Sequence, residues 1–383
     1  MLHAEPRYEV QSHTLAAGSS LDETMLIEDA SQDRRNDFDV TNSVQVSSPE
    51  QVRSAVAELF EAIYPNVSFD PLWLAFHDFE RLFRGLEPEY HAVDTSYHDI
   101  QHTLDMTLAL ARLVAGREMS VEPQDRLGPE RAELAIVSAL FHDSGYLRHR
   151  VRDKGALNGA EFTRLHVTRS GRFLEGYLPR IGLGEFVPVV SRVVHFTGYE
   201  LNIDQIELDD PRDSVVGHLI GTADLIAQLA DRCYLEKCRD RLYPEFVLGG
   251  VALEANESGT AVRYRSARDL LAKTLAFYQS SARQRLEHSF NRVYRYMEAF
   301  FERRENPYIL FVRKNLMFLT SVIESGDWEK IRRRPPCVIP DPHGEARLMA
   351  LALQRLRERS ASAKPPVAPS QERGTHNEAG LGS

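Results

Sequence analysis

Several short segments of this chain put histidine and carboxylate side chains where apolar surroundings should disfavour them. They are Tyr97-His98-Asp99-Ile100-Gln101-His102 with Asp105 following, Leu140-Phe141-His142-Asp143, Val194-His195, and Gly221-Thr222-Ala223-Asp224; His166 with Ser170 is a weaker member. Imidazole nitrogens and carboxylate oxygens together suit divalent transition ions, and the same groups move protons in catalysis. His142-Asp143 closes the apolar run AELAIVSALF. A carboxylate delivered there is costly unless it is paired or binds a cation. Asp224 is flanked by Leu219, Ile220, Ala223, Ile226 and Ala227, and such a carboxylate needs either a metal or an arginine. His98 and His102, four apart, would share one side of a helix, with Asp105 near the same stripe. A carboxylate so placed can fix a ring tautomer or hold a metal-bound water. Gln228 and Asp231 extend the polar stripe beyond Asp224, toward a substrate or toward water.

Each signal has a plainer reading: a polar helix face, backbone amides capping a carboxylate, an arginine partner. Together they carry more weight. Three separate apolar segments deliver ligands in the order His, His-Asp, Asp.

The elements that must position these groups read as helices. Apolar residues recur at three-and-four spacing from Pro49, from about Pro71 to Arg84, and from an N-cap among Asp94-Thr95-Ser96 to roughly Val114. Further helices fit Pro129 to Phe141, 159–178, 185–196 and 213–238, then a long one over about 266–304 that Asn306-Pro307 breaks, and one through Ile323. Only short pieces near Phe246–Val251 and Val262–Tyr264 suggest strands, so the expected fold class is all-α. Composition predicts a disordered leader over 1–48 and a largely disordered tail over 341–383. Residues 49–250 would form the ligand-bearing domain and 251–340 a helical extension packed on it.

Of 383 residues, 43% are hydrophobic and 27% charged, and the net charge is −10. That balance argues against general nucleic-acid binding, which needs a basic face, but permits a small phosphorylated substrate whose charge a metal neutralises locally. Three cysteines without CxxC spacing imply no disulfide framework. With no secretion signal and no apolar stretch of roughly eighteen residues, the expected location is cytoplasmic and off the membrane.

The segments YHDIQH, ALFHDSGY and GTADL, in the order H…HD…D, resemble the HD superfamily of metal-dependent phosphohydrolases. The first is similar to the YHNxxH segment of cyclic-nucleotide phosphodiesterases, and HLIGTADLIAQLADRCYLEKCRDRLYPEF is similar to bacterial HD-domain proteins. The resemblance spans roughly Thr95 to Phe246. It implies an HD-type helical bundle in which His102, His142, Asp143 and Asp224 hold a first metal and Asp143 bridges to a second. His166 and His195 are the candidates for completing that second site, and His98 matches the histidine that protonates the leaving oxygen. The chain departs from the phosphodiesterases in carrying Asp99 in place of Asn, and Ser-Gly-Tyr after His142-Asp143.

The implied activity is hydrolysis of a phosphoester, nucleotide-like or cyclic-nucleotide-like, by a water activated on one or two divalent ions (Mn, Fe, Zn, Ni or Mg), with Gln228 as a substrate contact. The alternatives are a metal- or nucleotide-sensing module without turnover, and a di-iron oxygenase on the same fold. The C-terminal helices could cover the catalytic helices or form a homodimer.

Overall fold

The computed structural model describes residues 34–255, 262–302 and 305–362. The fold is all-α: among the described residues β pairing is limited to isolated bridges, Phe38 with Gln45, Tyr90 with His149 and Ala255 with Val262. Ser48 caps α1 (Pro49–Ile63), and α2 spans Asp70–Phe83. Next come α3 (Ile100–Ser120), α4 (Pro129–Phe141), α5 (His166–Tyr177), α6 (Val187–Val194) and α7 (Pro211–Ala230). The short α8 (Tyr234–Lys237) and α9 (Tyr243–Leu248) flank a wider helical turn. The remainder is α10 (Ala267–Phe277), α11 (Tyr296–Phe300), α12 (Pro307–Ser325) and α13 (Gly344–Ser362). Proline opens α1, α4, α7 and α12, where its missing N–H and fixed φ cost nothing.

The centre of the molecule is α3, buried continuously from Ile100 to Glu118 and packed against α1, α4, α7 and α11. A helix enclosed on every side should be apolar all round, yet this one carries Gln101, His102, Asp105, Arg112, Arg117 and Glu118. Gly116 permits the crossing of α11, since a Cβ there would run into the Tyr296 carbonyl.

Several expectations need correction. The third helix starts at Ile100, after Asp94-Thr95-Ser96, because Asp99 is its cap. One Asp99 oxygen accepts from the His102 N–H at 3.0 Å and the other from the Val338 N–H at 3.0 Å. His98 therefore lies just before the helix, on the approach to it. The long helix expected over 266–304 is interrupted: Asn291 and Arg292 take φ of 53° and 56°, and this left-handed turn redirects the chain so that Met297 on α11 reaches the core. The strand expected near Phe246–Val251 is largely α9. Among the described residues no helix is long and apolar enough to cross a membrane.

Both expected unstructured ends contribute ordered structure. In the tail, α13 packs on α9; residues from 363 onward lie outside the described residues. In the leader, residues 34–48 dock on the core, while 1–33 lie outside the described residues. Polarity misled because two of the leader's charged residues, Arg34 and Asp39, are buried against partners. Asp39 faces Arg112 at 2.7 Å and accepts from the backbone N–H groups of Thr41, Ser43 and Val44. Arg34 donates to the carbonyls of Asp39 and Ala230.

Burial opposes ionisation of Asp39, but Arg112 and these hydrogen bonds prevail and hold it at about 2. Breaking a buried pair by removing one partner strands the other charge, so Asp39→Ala is expected to cost about 3–5 kcal/mol in chemical denaturation. A carboxylate depressed on folding stabilises above its free value of 3.8, and that contribution is lost as pH falls through about 2. The stability gap between wild type and Asp39→Ala should therefore narrow in acid. A gap unchanged between neutral and strongly acidic pH would contradict the pairing.

Candidate metal centre

The start of α3, the middle of α7 and the C-terminal end of α4 converge. His102 lies on the first turn of α3, Asp224 on the middle of α7, and His142 caps the C-terminus of α4. His102, His142 and Asp224 each offer a ligand atom within 4.8 Å of the others, and all three are buried. The chain leaves α4 at His142, and Asp143 begins the tight turn Ser144–Tyr146. That turn swings the Asp143 carboxylate inward: Oδ2 lies 3.1 Å from His142 Nε2 and 3.4 Å from His102 Nε2. His102 Nε2 lies 3.5 Å from Asp224 Oδ1.

The other Asp143 oxygen faces His166 Nε2 at 3.8 Å. Gly145 makes this approach possible, since a Cβ there would collide with the His166 carbonyl. The Asp143 side chain thus stands between two groups of imidazoles. His195 lies elsewhere in the polar shell, its Nε2 3.3 Å from Thr168 Oγ1, which bonds Glu200. Glu200 also lies 3.9 Å from His166 Nδ1, so the pair expected for a second ion belongs to one polar group, with His166 on its Asp143 side.

Proton placement follows from the partners. A carbonyl only accepts, so Nδ1 carries the proton in His142 (to Ala139 O, 2.8 Å), His166 (to Thr163 O, 2.8 Å) and His195 (to Ser191 O, 2.8 Å). In the neutral rings of His142 and His166 Nε2 then keeps its lone pair for a ligand, the tautomer that metal-binding histidines use, whereas His195 Nε2 faces Thr168 Oγ1.

The electrostatics describe an anionic knot. Burial opposes charge on His142, yet Asp143 and then Asp224 outweigh it and push the ring up to about 9. Burial likewise opposes ionisation of Asp143, but His142 and His98 hold it well below the usual carboxylate range. Burial lowers His166, with Asp143 opposing. One fact tests the fit of a cation directly. Among the described residues the buried Asp143 Oδ2 faces only the Nε2 atoms of His142 and His102, and with those rings neutral it has no donor, which costs free energy unless something fills the gap. A cation among His102, His142, Asp143 and Asp224 would satisfy it. Among the described residues neither carboxylate is paired with an arginine; Asp224 Oδ1 meets His102 and the Gln228 amide, the latter at 3.4 Å.

His98 sits at the rim of this group, its ring 5.6 Å from that of His102. Its Nδ1 meets Glu245 Oε2 at 2.6 Å, and Glu245 Oε1 accepts from the Tyr97 N–H at 2.6 Å. Burial works against a charged His98, but Glu245 and Asp143 raise its pKa. Tyr146 stacks between His98 and His166 at 4.4 and 4.5 Å. Gln228 accepts from the Tyr97 hydroxyl at 3.0 Å while bonding Asp224, which makes it a brace for a ligand.

Glu245, Tyr146 and Glu200 were missed in the sequence. Glu245 had a faint signal, an acid amid the apolar residues of YPEFVL; the others had none. Arg285, from the C-terminal region, was missed as well. It donates to Gly198 O and lies 3.6 Å over the Tyr199 ring, and burial lowers its pKa against the pull of Tyr199 and Asp224.

The chain matches no family model, no curated protein and no solved structure.

Saturating Mn²⁺ is expected to raise the melting temperature of the wild-type protein, by about 2.7 kcal/mol of added stability at a hundredfold excess over Kd. Asp224→Ala and His142→Ala should abolish that shift and the bound metal measured by elemental analysis. Equal metal content in wild type and both variants would remove these residues from any metal site.

Proposed function

We propose that the chain is a metal-dependent phosphohydrolase of the HD type, acting on a phosphoester of nucleotide-like size. The observation that carries the reading is Asp143. It is a buried carboxylate with Oδ2 turned to the Nε2 atoms of His102 and His142 and Oδ1 turned to that of His166. The sequence order His, His-Asp, Asp supports it. Divalent cations bound to such a group supply Lewis acidity and an activated water.

The chain's own residues complete the chemistry. With Nδ1 engaged by Glu245, the free nitrogen of His98 is Nε2. Glu245 and Asp143 raise its pKa against burial, which favours the protonated ring that a leaving oxygen would need. Glu245 also holds the Tyr97 N–H, so it fixes the ring's position relative to α3. Tyr146 prevents His98 and His166 from rotating by stacking on both. A sensing module has no need for a proton donor oriented by a buried carboxylate, and this favours turnover over binding alone.

The test uses leaving groups. Bis-p-nitrophenyl phosphate releases a stable anion that needs no proton, whereas an alkyl phosphodiester releases an alkoxide that does. His98→Ala should lower kcat on the alkyl ester by about 10²–10⁴ and on the nitrophenyl ester far less, with Glu245→Gln between. Equal losses on both esters would remove His98 as the acid. Mn²⁺-dependent hydrolysis no faster than that of Asp143→Ala would favour the sensing module, and a coloured, oxygen-consuming protein the oxygenase.

A further inference from the structure

Arg285 lies outside the stretch Thr95 to Phe246 that carries the ligand motifs, on the widened helical turns that follow α10. It nevertheless reaches the turn between His195 and Glu200. Its Nη2 donates to the Gly198 carbonyl at 2.7 Å, and its guanidinium lies 3.6 Å over the Tyr199 ring. That turn is wedged between two helices of the site. A Cβ on Gly198 would collide with Val167, the neighbour of His166 on α5. A Cβ on Gly221 would fall 2.6 Å from the Phe196 carbonyl, and Gly221 stands about one helical turn before Asp224 on α7. The guanidinium is thereby brought close to the metal group from the C-terminal part of the chain.

Its bonding is incomplete. A guanidinium drawn out of water ordinarily takes a carboxylate, yet among the described residues Arg285 is half-buried with none in ion-pair contact. The carboxylate whose charge it feels is that of Asp224, which is turned to His102. Gly198 occupies one of five N–H donors. The others are not sealed: no Arg285 nitrogen is among the buried atoms without a partner, and Tyr199 is 57% exposed. A brace for Gly198 would need a single donor and no permanent charge, and burial works against the charge. A planar fork oriented by a carbonyl and a ring face, with parallel donors to spare, is suited to an oxyanion.

We infer that Arg285 is the anion receptor of this site, taking non-bridging oxygens of the substrate's phosphoryl group with the donors that Gly198 leaves free. This deepens the hydrolase reading and rests on it for the identity of the anion. It also makes the C-terminal helical region part of the substrate pocket.

The probe is orthophosphate, titrated calorimetrically into the full chain loaded with Mn²⁺, beside Mn²⁺-dependent hydrolysis of bis-p-nitrophenyl phosphate. Arg285→Gln removes both charge and fork, and Arg285→Lys keeps the charge alone. Arg285→Gln is expected to weaken orthophosphate about tenfold or more, the scale of a hydrogen bond to a charged group, and to raise KM, with Arg285→Lys between. Mn²⁺ affinity should stay at the wild-type value in both. Wild-type protein gives a second measurement that needs no variant to fold: orthophosphate should slow modification of Arg285 by phenylglyoxal, followed by peptide mass. Unchanged orthophosphate affinity in Arg285→Gln, or no slowing of the modification, overturns the receptor and, with hydrolysis intact, leaves the hydrolase reading standing. A loss of phosphate that only follows a loss of bound Mn²⁺ makes Arg285 a brace and overturns it too. Phosphate binding that depends on Arg285, in a protein without Mn²⁺-dependent hydrolysis, overturns the hydrolase reading and keeps the receptor.

Discussion

The structure depends on neutralising charge inside a helix that has no solvent-facing side. Because α3 is enclosed by α1, α4, α7 and α11, each ionised group on it must find a counter-charge within the protein. Two such systems share the helix. Near its start, imidazoles of His102 and His142 meet the carboxylates of Asp143 and Asp224. Further along, Arg112 takes Asp39 from the docked N-terminal segment and donates to the Tyr308 hydroxyl at 2.9 Å. The second system is closed by protein groups alone. The first gathers buried imidazole and carboxylate groups that could hold a metal ion.

The first system also shows how protons and cations compete for one location. His142, pushed up to about 9, holds at neutral pH a proton that a metal would have to displace. The Nδ1 protons, by contrast, are committed to backbone carbonyls and need not move. Each ring therefore turns the same nitrogen inward with or without a ligand. His98 follows another rule: its Nδ1 is tied to a carboxylate, which raises its basicity. A ring so tied is suited to passing a proton, whereas the carbonyl-bound rings are suited to holding an ion.

What was legible in the sequence was whatever a helix displays by contrast. Asp224 and His142-Asp143 stood out because their neighbours are apolar, and the structure brings both segments to His102. Proline and the apolar run placed α4 at Pro129–Phe141. What escaped depends on partners distant in sequence. Glu245 lies 147 residues from His98, and no local pattern announces that they touch. Asp99 was the cap of α3, yet Asp94-Thr95-Ser96 offered equally good capping chemistry; tertiary partners separate them, since Arg148 and the Gly159 N–H take the Asp94 carboxylate while the Val338 N–H supports that of Asp99. The leader looked unstructured because its polarity is genuine, while the groups that bury it, Arg112 of α3 and the last carbonyl of α7, are distant in sequence. The break at Asn291 and Arg292 was hidden because an apolar period can continue across a turn when both sides pack on the same core.

The shared Asp99 carboxylate has a mechanical meaning. One oxygen secures the N–H of a ligand residue, and the other secures a backbone group 239 positions later. The last irregular stretch before α13 is thus a strut for the first turn of α3. A chain cut just before Val338 would keep every residue of the metal group and lose the contact that braces the helix turn carrying His102.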